Sequence, residues 1–146
     1  MLTVLRYWQE WNDPRLIVTV LHNNDLNQVT WEQRAMESTP KFAPSQDLPD
    51  MNYAGFARDI GLLGINVDEP EAIGPAWDTA LAAERPTLLD VRCDPNVPPI
   101  PPHATLEQAK SLSAALVHGD EDAWGIVKEG AKQKVQQYIP GTKKGD

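Results

Sequence analysis

Cysteine is almost absent from this chain of 146 residues, where Cys93 stands alone. That excludes an internal disulfide and any Cys-rich zinc site, and it fits a reducing, cytoplasmic setting in which Cys93 reads as a small buried apolar side chain. Positive charge is also in short supply. Thirteen Lys and Arg stand against 21 Asp and Glu, a formal net charge of −8, so attraction to phosphate backbones or anionic lipid is not expected and nucleic acid is a poor partner. Long apolar runs are missing: the longest, Leu16–Leu21, is far too short to cross a bilayer, and Arg6, Glu10 and Asp13 do not suit a signal peptide. No Gly-x-Gly-x-x-Gly and no P-loop occurs, which removes the usual sequence basis for a nucleotide-binding domain. What is there, 41% hydrophobic and 23% charged residues, suits an ordinary folded domain with a real core.

Punctuation by proline and glycine divides the chain into alternating elements. Leu2, Leu5 and Trp8 recur at helical spacing until Asn12-Asp13-Pro14, a turn, so a helix is expected over 1–11. No capping residue stands ahead of it, which suggests a helix entered from upstream sequence and hence a truncated chain. The aliphatic run over 15–21 predicts a strand buried on both faces, central in a parallel sheet. A polar helix over 28–38, a proline-bearing loop over 39–50 and a helix over 53–63 follow. Gly64–Val67 reads as a strand, and a helix capped by Asp68, with Pro70 in its first turn, runs to Ala83. Thr87–Cys93 is the third strand.

This alternation predicts an α/β fold: a mainly parallel sheet flanked by helices in three layers, occupying 1–94. Three strands make a thin sheet, so further strands are expected from outside the chain. Pro95, Pro98, Pro99, Pro101 and Pro102 predict a stiff connector, and two amphipathic helices, 105–117 and 120–139, complete a C-terminal extension over 95–146. Trp8, Trp11, Trp77 and Trp124 read as packing residues, while Trp31 is a candidate to face an adjoining domain or subunit. His103 and His118 have no companion at ligand spacing and read as surface residues.

The segment with chemical content is Val20–Arg34, at the carboxyl end of the most apolar strand, where open α/β sheets bind ligands. Amide and carbonyl oxygens of Asn23, Asn24 and Asp25 are hard neutral donors that suit Mg²⁺ shared with a diphosphate. An Asn-rich strand-to-helix turn has the same composition, and spacing does not separate the two readings.

Leu21-His22-Asn23-Asn24-Asp25-Leu26-Asn27-Gln28-Val29-Thr30-Trp31-Glu32-Gln33-Arg34, with Tyr7-Trp8 and Asp13-Pro14-Arg15 before it and Arg85–Val91 after it, resembles the C-terminal part of thiamine diphosphate-dependent enzymes of the acetolactate synthase and pyruvate oxidase group. The proline stretch and Leu106–Lys110 resemble the tails of a bacterial oxidase-like branch. The family's diphosphate motif opens with Gly-Asp-Gly and closes at an Asn-containing turn, and only the closing half is present in this sequence. The charged Mg²⁺ ligand and the helix N-terminus that meets the diphosphate are therefore not supplied by it.

With Leu26 aligned to the family's usual aromatic or apolar residue, the resemblance implies Asn23 as the side-chain Mg²⁺ ligand and Asp25 as the backbone-carbonyl ligand. His22 then stands where the family usually has Asn. A register shifted by one uses Asn24 and Leu26 instead, and the departure at His22 leaves the choice open. The resemblance places His22, Asn24, Leu26, Gln28 and Val29 beside the cofactor and makes Glu32 a candidate for tuning proton transfer or substrate choice. A solvated helix face accounts for Glu32 equally well. The family's activating glutamate comes from another domain of a partner subunit, so no acid of this chain takes that role.

Two functional readings follow. In the first, the chain is the C-terminal part of a homo-oligomeric enzyme that uses thiamine diphosphate and Mg²⁺ on 2-oxo acids such as pyruvate, with FAD added in an oxidase, and is inactive alone. In the second, it is a non-catalytic dimerisation module or one partner of a split enzyme.

Overall fold

The computed structural model describes residues 1–97 and 106–129. Along the chain lie α1 (Leu2–Tyr7), a 3₁₀ turn at Trp8–Glu10, β1 (Ile17–His22), α2 (Asn27–Met36), α3 (Ala43–Gln46) and α4 (Tyr53–Asp59). β2 (Leu63–Val67), a 3₁₀ turn at Pro70–Ala72, α5 (Ile73–Ala82), β3 (Thr87–Arg92) and α6 (Leu106–Val117) follow, and residues 123–129 are helical. The chain forms two compact units, one of Met1–Asn24 with Pro49–Cys93, the other of Asp25–Leu48 with the chain from Asp94 on.

The first unit is built on a three-stranded parallel sheet in the order β1-β3-β2. Side chains alternate across the strands, giving the sheet two apolar faces. On one, Leu89 and Val91 of β3 and Val67 of β2 pack with Ala76 and Ala80 of α5. On the other, Leu88 packs with Leu62 and Ala57, joined by Val4 and Trp8 from the N-terminal helix and by Val20 of β1. These faces confirm the expected three-layer parallel α/β architecture.

The order of strands corrects one expectation. β3, not β1, is central: its residues from Thr87 to Val91 are all buried, whereas β1 exposes Thr19 and Leu21. An unbroken aliphatic run shows that both faces can be covered, but it does not say whether both edges are paired. The helix expected over 53–63 ends earlier, because Gly61 at φ +86 turns the chain. Its amide donates to the Arg58 carbonyl and the Leu62 amide to that of Ala57, a Schellman closure that frees Leu63 to start β2. Asp68 does not cap the next helix, since the cap position is Glu69, without a side-chain bond, and a 3₁₀ turn opens at Pro70.

In the second unit α2 packs against α6. Among the described residues its buried side chains are largely polar: Asp25, Thr30, Arg34, Gln46 and Asp120 beside Trp31, Ala115 and Ile126. Gly119 at φ +94 follows α6. The loop expected over 39–50 contains α3, with Pro44 in its first turn. Asp94–Val97 forms a turn closed by the Val97 amide on the Asp94 carbonyl. The rest of the expected proline connector, with His103, and the C-terminal helix past residue 129 lie outside the described residues.

Of the tryptophans expected to pack, Trp8 does so and Trp11, Trp77 and Trp124, which are exposed, do not. Trp31 is buried. Helical spacing puts residues on one face without saying which face meets the core. Cys93 is half-buried, not fully enclosed, with its thiol on the Val91 carbonyl, and burial pushes that thiol's pKa up. His118 is at the surface, as expected.

Candidate functional site

Parallel strands leave their carboxyl ends at one edge, and in the first unit that edge is organised by two buried groups. His22, the last residue of β1, is 3% exposed, and Asp90 of the central strand is 1% exposed. His22 Nδ1 lies 2.7 Å from Asp90 Oδ1. The other oxygen of Asp90 accepts the Tyr53 and Ala54 amides at 3.1 and 3.3 Å, donors that the first turn of α4 leaves without helical partners. The Tyr53 ring meets the imidazole edge-on at 4.9 Å. One carboxylate thus ties the end of β1 to the start of α4.

The far side of the imidazole is engaged as well. His22 Nε2 lies 3.2 Å from Arg92 Nη1 and 3.2 Å from Asp50 Oδ1, and Arg92 Nη2 is 2.8 Å from that same oxygen. The Arg92 hydrogen bond holds the Asp50 carboxyl below the usual carboxylate range, with His22 and a hydrogen bond from Asn24 contributing. Both ring nitrogens of His22 thus face a carboxylate oxygen, Asp90 at Nδ1 and Asp50 at Nε2, with the Arg92 guanidinium beside Nε2.

Beyond this ring the chain turns. Asn24 has φ 56, in the left-handed region that Asn tolerates better than most residues. Its Oδ1 is buried and receives no hydrogen bond among the described residues, so a strong acceptor is left open. Asn23 is half-buried and engaged with its surroundings.

In the second unit, Asp25 is 7% exposed. Its carboxylate accepts Thr30 Oγ1 at 2.6 Å and pairs with Lys41 Nζ, which commits the side chain to structure. The Leu26 amide donates to the Gln46 carbonyl at 2.8 Å, and Asp25 bridges to Asp47. Leu26, Gln28, Val29 and Glu32 are exposed, with Gln28 Nε2 on Glu32 Oε1 at 3.1 Å. Leu26 and Val29 lie three residues apart at the start of α2 and are both exposed. Asn27 donates to the Pro95 carbonyl at 2.9 Å, which anchors the start of α2.

Sequence reasoning missed Asp50, Tyr53, Asp90 and Arg92. The available signal was Asp90 itself, an acid inside the apolar run Thr87–Val91, since a charge in a buried strand needs partners. Among the described residues no group of three or more His, Cys, Asp and Glu is placed to hold a metal ion. The open oxygen here is a neutral amide.

The comparisons with known proteins agree with this architecture. The family model of the thiamine pyrophosphate enzyme C-terminal TPP binding domain matches residues 11–91, more than half of the chain. That range takes in β1, β2, β3 up to Val91, and the His22–Glu32 segment. A protein of Bacillus subtilis (strain 168) named "Putative thiamine pyrophosphate-containing protein YdaP" is 33% identical over 102 residues, 70% of this chain and 17% of that protein. The chain therefore spans a small part of the length of the relative that it matches. With nearly all of the parallel sheet, the helices α2 to α5 and the Asn-rich turn inside the matched range, this chain belongs to the thiamine pyrophosphate enzyme family, through the C-terminal TPP-binding domain.

Proposed function

We propose that the chain supplies the closing half of a Mg²⁺–thiamine diphosphate site (thiamine diphosphate and thiamine pyrophosphate being one molecule) in an enzyme acting on 2-oxo acids such as pyruvate. The observation that carries this reading is the turn at the carboxyl end of β1, where the buried Asn24 Oδ1 has no hydrogen-bond donor among the described residues and stands as an open neutral acceptor beside the place proposed for the cofactor. Asn23 would hold the metal through its side-chain oxygen and Asp25 through its main-chain carbonyl, because Thr30 and Lys41 already occupy the Asp25 carboxylate. His22, Asn24, Leu26, Gln28 and Val29 would flank the cofactor, and Glu32 would tune proton transfer or substrate choice. When bound, the cofactor supplies the nucleophile and electron sink for chemistry beside the 2-oxo acid carbonyl. The chain's own contribution is to orient it and, through Leu26 and Val29, to exclude water.

A shifted register, with Asn24 as side-chain ligand and Leu26 as carbonyl ligand, is favoured by the same open oxygen. The chain has no Gly-Asp-Gly, so in this reading the charged ligand comes from elsewhere and the isolated chain is inactive. We propose a homo-oligomeric, cytoplasmic working enzyme. An oxidase parent would carry FAD as well, which the visible spectrum of the complete enzyme reports. The second reading, a non-catalytic association or split-enzyme module, is favoured by Leu21, 68% exposed on edge strand β1.

Thermal unfolding tests these readings. A ligand at about 100 times its Kd adds about 2.7 kcal/mol, a shift of roughly 5 to 10 °C at this size. The complete enzyme should show that shift with Mg²⁺ and thiamine diphosphate and lose it in Asn23→Ala. Loss in Asn24→Ala with Asn23→Ala intact selects the shifted register. No shift in the complete enzyme leaves the association module, and a full shift in the isolated chain overturns the half-site reading.

A further inference from the structure

We infer that Asp90 is a positioning residue which, acting through the His22 ring, sets the conformation of the Asn23–Asn24 turn. The inference deepens the function proposed above and rests on it for its bearing on the metal. A carboxylate buried in the central strand is costly unless every lone pair is used, and an apolar residue such as Leu88, two positions earlier on the same face, would pack there at no such cost. Asp90 is 1% exposed, and its two oxygens serve two different elements: Oδ1 takes His22 Nδ1 and Oδ2 takes the first amides of α4.

His22 is gripped from every side. Asp90 holds Nδ1, Arg92 and Asp50 flank Nε2, and the Tyr53 ring stands edge-on. Its main chain continues the ladder, with the Cys93 amide on the His22 carbonyl at 3.0 Å. Both ring nitrogens being committed, His22 acts on its surroundings through the direction it imposes on the next residues. Those residues enter a left-handed conformation at Asn24, φ 56, and Asn24 Oδ1 has no donor among the described residues. Such a conformation persists where neighbouring contacts over-determine it. Asp50 makes a second tether, to His22, Arg92 and Asn24, but it is exposed at the surface, so the buried Asp90 contact is the firmer one.

Amide hydrogen exchange and ¹⁵N NMR of the full chain test this. In Asp90→Leu, exchange at Asn23 and Asn24 should quicken roughly tenfold to a hundredfold, the loss of one hydrogen bond to a charged group, beyond any change at Leu89. In Asp90→Asn, the α4 amides keep the carboxamide oxygen and its nitrogen donates to Nδ1, so Nδ1 should lose its proton and its ¹⁵N shift should move to that of a bare ring nitrogen. His22→Asn combined with Asp90→Asn restores an amide pair and should bring exchange at Asn23 and Asn24 back towards the original. Should Asp90→Leu not fold, His22→Leu removes the same tether while Asp90 keeps the α4 amides. Exchange at Asn23 and Asn24 that stays unchanged, or rises only in step with Leu89, overturns the inference, as does an unaltered ring in Asp90→Asn. Mn²⁺ broadening of the Asn23 resonance in the complete enzyme reads the metal separately. Its absence in the unmodified protein defeats the metal reading, and the exchange result still decides the tether.

Discussion

Arg34 shows what one side chain does in a unit with little apolar core. It is 1% exposed, with Nε and Nη2 on the two oxygens of Asp120 at 2.7 and 2.6 Å and the guanidinium stacked 4.9 Å from the Trp31 ring. Burial alone would raise the Asp120 carboxyl, but hydrogen bonds from Arg34 and the Lys41 amide outweigh it and hold the pKa below the ordinary value. Arg34→Leu strands a buried carboxylate and should cost about 3–5 kcal/mol in urea unfolding. Because the folded pKa of Asp120 is depressed, its contribution is present above about pH 4 and drains away as pH falls through the folded value. Burial would lower the Lys41 pKa, yet its bonds to Asp25 and Asp47 raise it, so that contribution is present below about pH 10 and is lost as pH rises through the raised value. Trp31 fluorescence, isolated by difference against Trp31→Phe, should report an acid transition that Arg34→Leu flattens and an alkaline one that Lys41→Met removes.

At the scale of elements, close approach decides the packing of the first unit. A Cβ at Gly64 of β2 would stand 1.9 Å from the Ala54 carbonyl oxygen of α4, so Gly64→Ala should cost about 1–3 kcal/mol through forced separation of strand and helix. α5 presents the same logic in side chains: Ala76 and Ala80 face the sheet while Ile73, Trp77 and Leu81 are exposed. Trp77→Gln should then change stability by about 0.5 kcal/mol or less, against about 1–3 kcal/mol for overpacking by Ala80→Leu, both read from denaturation midpoints. Here the sequence was informative up to a limit. Apolar runs and Pro or Gly breaks located β1, β2, β3 and α5, and the Asn-rich segment located the turn after β1. Periodicity gave two stripes on α5 without saying which was inward, and the aliphatic run of β1 masked its edge position. The His22–Asp90 pair joins residues 68 positions apart, a distance over which local pattern carries no information.

For the whole molecule, the chain passes between its units at Asn24, Leu48 and Cys93, so each is assembled from two stretches. The ends of the 25–48 stretch are already joined, Asp25 bridging Asp47 and the Leu26 amide bonding Gln46. Replacing residues 26–46 with a short Gly/Ser loop in a chain ending at Cys93 closes a gap of little entropy. The first unit, with both its apolar faces, should keep a cooperative urea transition and near-UV circular dichroism, at a lower midpoint befitting its size. A non-cooperative transition would show that the second unit is needed for the sheet to form.

β1 pairs with β3 and never with β2, Ile17 standing opposite Thr87. On a ribosome the partner of β1 is therefore made roughly seventy residues later, a wait of roughly 4 to 14 s at about 5–20 residues per second. Throughout that interval Ile17–Leu21 is made while β3, its partner in this sheet, is not, so slower translation lengthens the time this aliphatic segment waits for that pairing.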